Sequence, residues 1–549
     1  LTVPVGEFVS NPSFPERSMS PTGGNSFAGM YGAKKTWQFL SRNKVRFGVY
    51  ERSARDPKLL PGDEYLFTLG GYLQPGGHET FYRSVPDTLL KTHPEYFCLV
   101  NGERLPQHHP TVKMGGCTYA QVCTSQDGVI SLIADFVDRT LEHGKEKSYP
   151  TSFLYGAGDN CTTWCHCARC EKLFDNYAPD RFYYMVNKSA EQVFKKHPDA
   201  KLCSWIYSDF RKLPRRIAPD RRLHYTFCDH GRCYTHELSD QSCAINRAML
   251  QLMNDWEKLV GPLQVYEYYC VGQPYAPHEV ILAKDLKYYF ARKWSGYHDE
   301  IPAPDAYYQP AALKGKGGVL KVEQWAARWQ QIYLASKLLW DIQTDVTETL
   351  DDANRLYYGP AFPAMKPYRE LLGKLWTGVS VHFVYGTGGV PCPGAYALQL
   401  PDAEKLEKYL AEAEKLAGDK EPYAGRIRLE KKFFKVAWAD PAKKLKDSKA
   451  SGIIRSVSDK ITVDGKLKES TWRNASPLGE FRKNKDTLPR YKTFVKAAYD
   501  SENLYIAFTC MDEDVAKTTC NAKKHDGDVY GDNDVEMMID PTGTPGNYF

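Results

Sequence analysis

LHYTFC at 223–228, AINRAMLQLMNDWEKLV at 244–260 and LQVYEYY at 263–269 follow one another along the chain. The outer two are short apolar runs rich in aromatic and β-branched residues, which suit buried strands. The middle one repeats apolar residues every three to four positions, the mark of a helix with one buried face. A strand, a helix and a strand at this spacing make a crossover unit, and its two strands are parallel. The same rhythm extends both ways. Upstream lie the helical VISLIADFVDRTLEHG (129–144), the strand-like SFLYGAG (152–158), a helix over 180–197 and the strand-like LCSWIY (202–207). Downstream come a helix over 280–293, the strand-like GYHDEI (296–301) and the amphipathic EQWAARWQQIYLASKLLWDI (323–342). A barrel and an open doubly wound sheet both satisfy this pattern, and no Gly-rich dinucleotide fingerprint follows any of these strands, which disfavours a nucleotide-binding open sheet. The expected fold class is α/β, a (β/α)8 TIM-type barrel.

The flanks read differently. Residues 1–30 are loop around one short element, 34–43 a helix, and 60–115 an irregular Gly-, Pro- and His-rich stretch of the kind that carries function. Residues 346–435 are helical by pattern, and the basic stretch 436–457 reads as a linker. Beyond it ITVDG (461–465), FVKAAYD (494–500), LYIAFTC (504–510) and DVEMMID (534–540) alternate between turn residues as a β-sandwich does. The expected organisation is a barrel over 1–345, a helical region and linker over 346–457, and an incomplete sandwich over 458–549.

Composition bounds the function. The 549 residues carry 72 Lys and Arg against 67 Asp and Glu, a mixed surface and not the clustered basic face of a nucleic-acid binder. No stretch reaches the roughly 18 apolar residues of a membrane span. The 37 Tyr and 11 Trp are many, and aromatic faces suit the C–H faces of sugars, although large barrels also bury many aromatics. The sequence opens on Leu1, so a further N-terminal segment is expected.

In a (β/α)8 barrel the chemistry sits at the C-terminal ends of the strands. The polar residues there are Asp159 and Asn160, Asp209, Asp229 and His230, Glu267 among Tyr266, Tyr268 and Tyr269, and Asp299 with Glu300; Trp205 lies within its strand. Carboxylates converging with aromatics on one mouth suit glycosidic-bond cleavage, which needs a proton donor and a group that stabilises an oxocarbenium-like transition state. The bland alternative for each is a helix cap or an Arg partner. Glu267 is the expected general acid, because three Tyr would desolvate it and raise its pKa. Glu300 is the next candidate, and Asp159 the expected orienting group. Cys161, Cys165, Cys167 and Cys170 are closely set, with His166 beside them, and Cys228, Cys233 and Cys243 form a looser group. For the first four, structural zinc, disulfides to Cys203 or Cys228, and free thiols all remain open. No cofactor is expected for catalysis.

Asp159-Asn160, the close-set Cys167 and Cys170, and a helix containing Asn187 then take on a family character. With Arg17, Gly77-His78, HPEYF (93–97), Leu339-Trp340-Asp341 and Tyr357-Tyr358-Gly359, they resemble the bacterial domain of unknown function 4838 over roughly residues 10–380. That resemblance implies a secreted, periplasmic or cell-surface glycoside hydrolase acting on a glycan or polysaccharide. A related group, glycoside hydrolase family 163, implies an endo-β-N-acetylglucosaminidase in which the substrate's 2-acetamido group is the nucleophile and a Glu is the general acid. The wider hexosaminidase group often pairs Asp with Glu where this chain has Asp159-Asn160, and an amide cannot donate the acid proton. Arg17, His78, Asn160, Trp205, Asp229, His230 and Tyr268 are the expected substrate contacts. The alternatives are a non-catalytic glycan-binding protein on a degenerate barrel and a metal-dependent enzyme built on the Cys/His cluster. From about 459, Val463-Asp464-Gly465, Trp472, Ala498-Tyr499-Asp500, Asn503 to Phe508 and Asp532 to Glu536 resemble a family 9 carbohydrate-binding module, with Trp472 expected in its core. The acidic run Asp526 to Asp534 reads as a solvated turn in preference to a calcium site.

Overall fold

The computed structural model describes residues 11–22, 34–49, 67, 70–108, 119–159, 161–269, 275–302, 307–308, 322–379, 381–384, 393–447, 454–457, 459–478, 492–519 and 521. The chain divides near residue 441 into two compact units.

The first unit contains β1 (Glu16–Thr22), β2 (Phe47–Val49), β3 (Gly71–Leu73), β4 (Gly76–Gly77), β5 (Phe153–Tyr155), β6 (Leu202–Ile206), β7 (His224–Cys228), β8 (Gln264–Glu267) and β9 (Gly296–Pro302). Seven of them form one curled sheet in the order β1-β9-β8-β7-β6-β5-β4, every pair parallel. β2 and β3 pair in parallel with each other. Single parallel bridges, Ser18 to Arg46 and Leu73 to Thr151, link that pair to β1 on one side and to the approach to β5 on the other. β3 and β4 lie in the stretch expected as irregular, and β2 in a stretch given no expected element. Runs of two or three residues are too short for period-2 alternation to show.

The crossovers are α1 (Lys34–Arg42), α2 (Asp127–Lys147), α3 (Ala178–Lys196), α4 (Ala244–Val260), α5 (Glu279–Ala291) and α6 (Gln324–Trp340). From α2 to α6 each buries an apolar stripe at helical spacing; in α2 it is Val129, Ile130, Ile133, Ala134 and Val137. The core between sheet and helices is one continuous cluster that includes Phe153, Tyr183, Val265, Leu286 and Leu338.

Helices α7 (Val346–Tyr358), α8 (Phe362–Thr377), α9 (Leu400–Ala417) and α10 (Tyr423–Phe434) follow within the same unit. Asp345 caps α7, its Oδ1 accepting from the Glu348 amide at 2.8 Å. The group is fastened to the barrel by the Arg369–Glu279 ion pair at 2.6 Å and the Tyr275–Tyr368 hydroxyl pair at 2.8 Å. Helical structure continues to Asp447, so the first half of the expected linker is not one. The reason is Trp438, which is fully buried and donates to the Tyr275 carbonyl at 3.1 Å.

In the second unit Thr493–Tyr499 and Leu504–Cys510 form an antiparallel hairpin, with Arg455–Ser456 parallel to the first of them. Trp472 packs with Ala498 and Ala507 as the core there. ITVDG (461–465) forms a turn, with the Lys466 amide donating to Asp464 Oδ1 at 2.9 Å, and not the expected strand. The expected strand at 534–540 and the acidic run 526–534 lie outside the described residues, so a complete sandwich is not seen. Among the described residues no helix is long and apolar enough to cross a membrane.

Candidate active site at the barrel mouth

Strand alternation decides which side chains the barrel offers to a substrate. In β8, Val265 and Glu267 are fully buried, whereas the ring of Tyr266 lies 4.4 Å from that of His298 on β9 and 6.1 Å from that of Trp205 on β6. Tyr266, His298 and Trp205 therefore face the lumen. So do Ser18 and Ser20 of β1, whose hydroxyls meet the two ring nitrogens of His298 at 2.7 and 2.9 Å. Burial lowers the His298 pKa to about 4, so the ring is neutral, with one nitrogen donating to a serine and the other accepting.

Nearer the mouth these inward positions join residues from the loops. The hydroxyl of Tyr266 donates to Glu300 Oε1 at 2.8 Å. The Tyr266 and Tyr268 rings lie 5.0 Å apart, Tyr268 is 5.5 Å from His230, and His230 is 6.1 Å from Tyr207. Tyr207 in turn donates to Asp159 Oδ1 at 3.4 Å. An unbroken chain of aromatic rings thus runs from Glu300 to Asp159. His78 completes the Asp159 side. Its Nδ1 lies 3.0 Å from the Ala157 carbonyl, which leaves Nε2 facing Asp159 Oδ1 at 3.7 Å. Burial lowers the pKa of His230, with Arg211 adding to the effect and Asp159 opposing it. Burial raises Tyr268 well above its ordinary value, and Glu300 and Tyr207 add to the shift, so both sides of the mouth act on this one ring.

Trp205 reaches this surface because two glycines make room. A Cβ on Gly77, whose φ is +59°, would stand 2.8 Å from the indole. One on Gly156 would stand 2.7 Å from the Gly77 backbone and 2.8 Å from the indole. The indole also lies 4.5 Å from His78.

The structure separates the other expected residues from this group. Glu267 points outward, beneath α5. It pairs with Arg232 at 2.9 Å and accepts from the Tyr289 hydroxyl. Arg232 also binds Asp285 at 2.6 Å and stands 3.7 Å from Asp229, and all four of these charged side chains are fully buried. Burial raises the pKa of Glu267, as expected, but the burial is under a helix and not against a substrate. Asp229 belongs to the same outer network, accepting from the Tyr234 hydroxyl at 2.9 Å; burial and the neighbouring Glu267 push its pKa well up. Asp299, next to Glu300, is 1% exposed and takes a hydrogen bond from Tyr297 at 3.2 Å. Arg17 lies near the N-terminal end of β1, opposite the mouth. Its Nε donates to the Lys44 carbonyl at 2.7 Å and its guanidinium stands 5.0 Å from the Trp340 ring. Asp209 is held by the Trp164 indole at 2.6 Å. Asn160 lies outside the described residues. Tyr207, Tyr266 and His298, which sequence reasoning did not single out as site residues, are central to the mouth. Below it a cavity of about 290 Å³ is lined by Ser18, Gln74, Cys203, Thr226, Gln264 and His298, among others.

Two clusters of metal-ligating side chains include residues from loops that follow barrel strands. Cys123, Cys165, Cys167 and Cys170 are all buried with sulfurs within 4.8 Å of one another. Cys123 thus takes the place expected for Cys161, which stands outside the group. The second cluster is Cys233, His236, Cys243 and His382. All these cysteines are free, so the expected disulfide alternative is not realised in the structure.

The model of a family described as domain of unknown function DUF4838 matches residues 2–370. No curated protein matches the chain. Among solved structures, a GH138 enzyme targeting pectin rhamnogalacturonan II is 10% identical, with a TM-score of 0.43 over 77% of this chain and 57% of the other. The chain therefore spans little more than half of that protein. CpGH84B is 8% identical, with a TM-score of 0.40 over 79% of this chain and 69% of its own. A GH42 β-galactosidase from G. stearothermophilus is 10% identical, with a TM-score of 0.36 over 73% and 71%.

Proposed function

The chain belongs to the DUF4838 family, and from that premise we propose that it is a glycoside hydrolase whose working carboxylates are Glu300 and Asp159. The observation that carries this reading is the aromatic chain at the mouth, Tyr266, Tyr268, His230 and Tyr207, which ends on Glu300 at one side and Asp159 at the other. Such a surface suits the C–H faces of a sugar and has a carboxylate at each end.

The two acids have different partners, and the partners suggest different roles. Glu300 accepts from the Tyr266 hydroxyl at 2.8 Å and is assigned the group that stabilises the oxocarbenium-like transition state. Asp159 faces His78, whose Nδ1 lies against the Ala157 carbonyl, and is assigned the delivery of the proton to the leaving oxygen. On a 2-acetamido sugar, as the family 163 resemblance implies, Glu300 would orient the acetamido N–H while the acetamido oxygen attacks.

The test compares wild type with Glu300→Gln and Asp159→Asn on aryl β-glycosides, with and without the 2-acetamido group, and on N-glycoprotein. Each variant should lose about 10²-fold or more on unactivated substrates. Asp159→Asn should lose far less on a dinitrophenyl glycoside, whose leaving group needs no proton, whereas Glu300→Gln should lose as much on either. Glycan binding without turnover of any glycoside by the wild type would overturn the hydrolase reading in favour of a binding protein.

A further inference from the structure

We propose that Cys233, His236, Cys243 and His382 bind a zinc-class ion at a closed, structural Cys2His2 site, and that Cys123, Cys165, Cys167 and Cys170 bind a second one. The first group is drawn from three separate stretches of chain. Cys233 and His236 lie in the loop after β7, Cys243 is the residue that precedes α4, and His382 lies on the short segment 381–384 beyond α8. Backbone pairing fixes that segment against the loop: the Tyr234 amide donates to the Phe383 carbonyl at 2.7 Å, and Cys233 bridges Val384.

The distances match a tetrahedron. With metal–sulfur bonds of about 2.3 Å and metal–nitrogen bonds of about 2.0 Å, tetrahedral edges are about 3.5 Å from S to N and about 3.8 Å from S to S. Here Cys233 Sγ lies 3.2 Å from His236 Nδ1 and 3.4 Å from His382 Nδ1, and Cys243 Sγ lies 3.5 Å from His382 Nδ1. In the four-sulfur group Cys123 Sγ stands 3.7 Å from Cys167 Sγ and 3.6 Å from Cys170 Sγ. The surroundings suit bound metal too. His236 presents Nδ1 to the cluster while its Nε2 lies 3.0 Å from the Val379 carbonyl, the outer hydrogen bond that fixes the tautomer of a ligating imidazole. Cys165 Sγ accepts from the Leu99 amide at 3.3 Å and from Arg104 at 3.7 Å, donors that stabilise a thiolate.

Four protein donors leave no open position, so neither ion would activate water. Their place along the chain points instead to bracing. Cys233 follows His230 by three residues, and Cys165 follows Asp159 by six. Each site thus fastens a loop that carries one wall of the mouth. This proposal does not depend on the hydrolase reading.

The test is metal analysis of the purified full chain together with X-ray absorption at the zinc edge. The expected result is two zinc per chain and an averaged shell of three sulfurs and one nitrogen, since six sulfurs and two nitrogens serve two ions. One zinc per chain with four sulfurs and no nitrogen overturns the Cys2His2 site; one zinc with two sulfurs and two nitrogens overturns the four-sulfur site. No zinc, with cobalt(II) producing no thiolate charge-transfer band, overturns both. His382→Ala, a half-buried ligand, should remove one equivalent and move the averaged shell to four sulfurs. Retention of two equivalents in that variant also overturns the Cys2His2 site.

Discussion

Tyr266 and Glu267 are neighbours on one strand, yet they belong to different parts of the molecule. Tyr266 faces the lumen and holds Glu300, whereas Glu267 faces α5 and holds Arg232. On the inner side, polar groups converge where a ligand can reach them. On the outer side, Arg232 is enclosed by Glu267, Asp285 and Asp229, with no exposure at all. Both sides contain carboxylates among tyrosines, and only their orientation separates a site from a structural network. A raised carboxyl pKa is therefore not enough to identify a catalytic acid, since burial under a helix produces it as readily as a substrate cleft does.

The largest effect should come from the inner side. Glu300→Gln is expected to reduce kcat by about 10²- to 10⁴-fold with an unchanged melting temperature, read by steady-state kinetics and calorimetry. The outer side should answer in stability. Arg232→Leu leaves buried carboxylates unpaired and is expected to lower unfolding free energy by about 3–5 kcal/mol in denaturant titration. A mild effect there would mean that the network is solvated. Gly156→Ala sharpens the comparison at the point where backbone and indole meet. Its Cβ would crowd the Gly77 backbone and Trp205, so a loss of about 1–3 kcal/mol and a raised KM should appear together.

A pH-dependent effect concerns His298. Its pKa is about 4 in the fold against an ordinary value of 6.5, so the unfolded chain binds the extra proton first as pH falls. Stability contributed by the neutral ring is complete above about pH 6.5 and is lost progressively down to about pH 4. His298→Gln should flatten that part of the stability profile, as measured by melting temperature across the range.

Much of the barrel was legible because its longer elements carry clear periodicity: α2, α3, α4 and α5 each lie within three residues of their expected ends. β2, β3 and β4 were not, because two or three residues show no period. The orientation of β8 was also hidden. LQVYEYY is apolar or aromatic on both faces, as strands buried on both sides are, so nothing in it separates Tyr266 from Glu267. Glu300 was a candidate by its position at a strand end, and Asp159 by that position and by the family resemblance of Asp159-Asn160. The spacing of Cys233 and His236 was visible in the chain, but Cys243 stands seven residues beyond His236 and His382 lies 139 residues beyond Cys243. Cys123 likewise lies 44 residues before Cys167, so only the folded chain completes either cluster.

The most direct test of the account is to measure kcat and melting temperature side by side for Glu300→Gln and Glu267→Gln on the same glycoside. Glu300→Gln is expected to keep its melting temperature and lose turnover, while Glu267→Gln melts lower and its folded fraction still turns over. Turnover lost in Glu267→Gln at an unchanged melting temperature, with Glu300→Gln fully active, would contradict it.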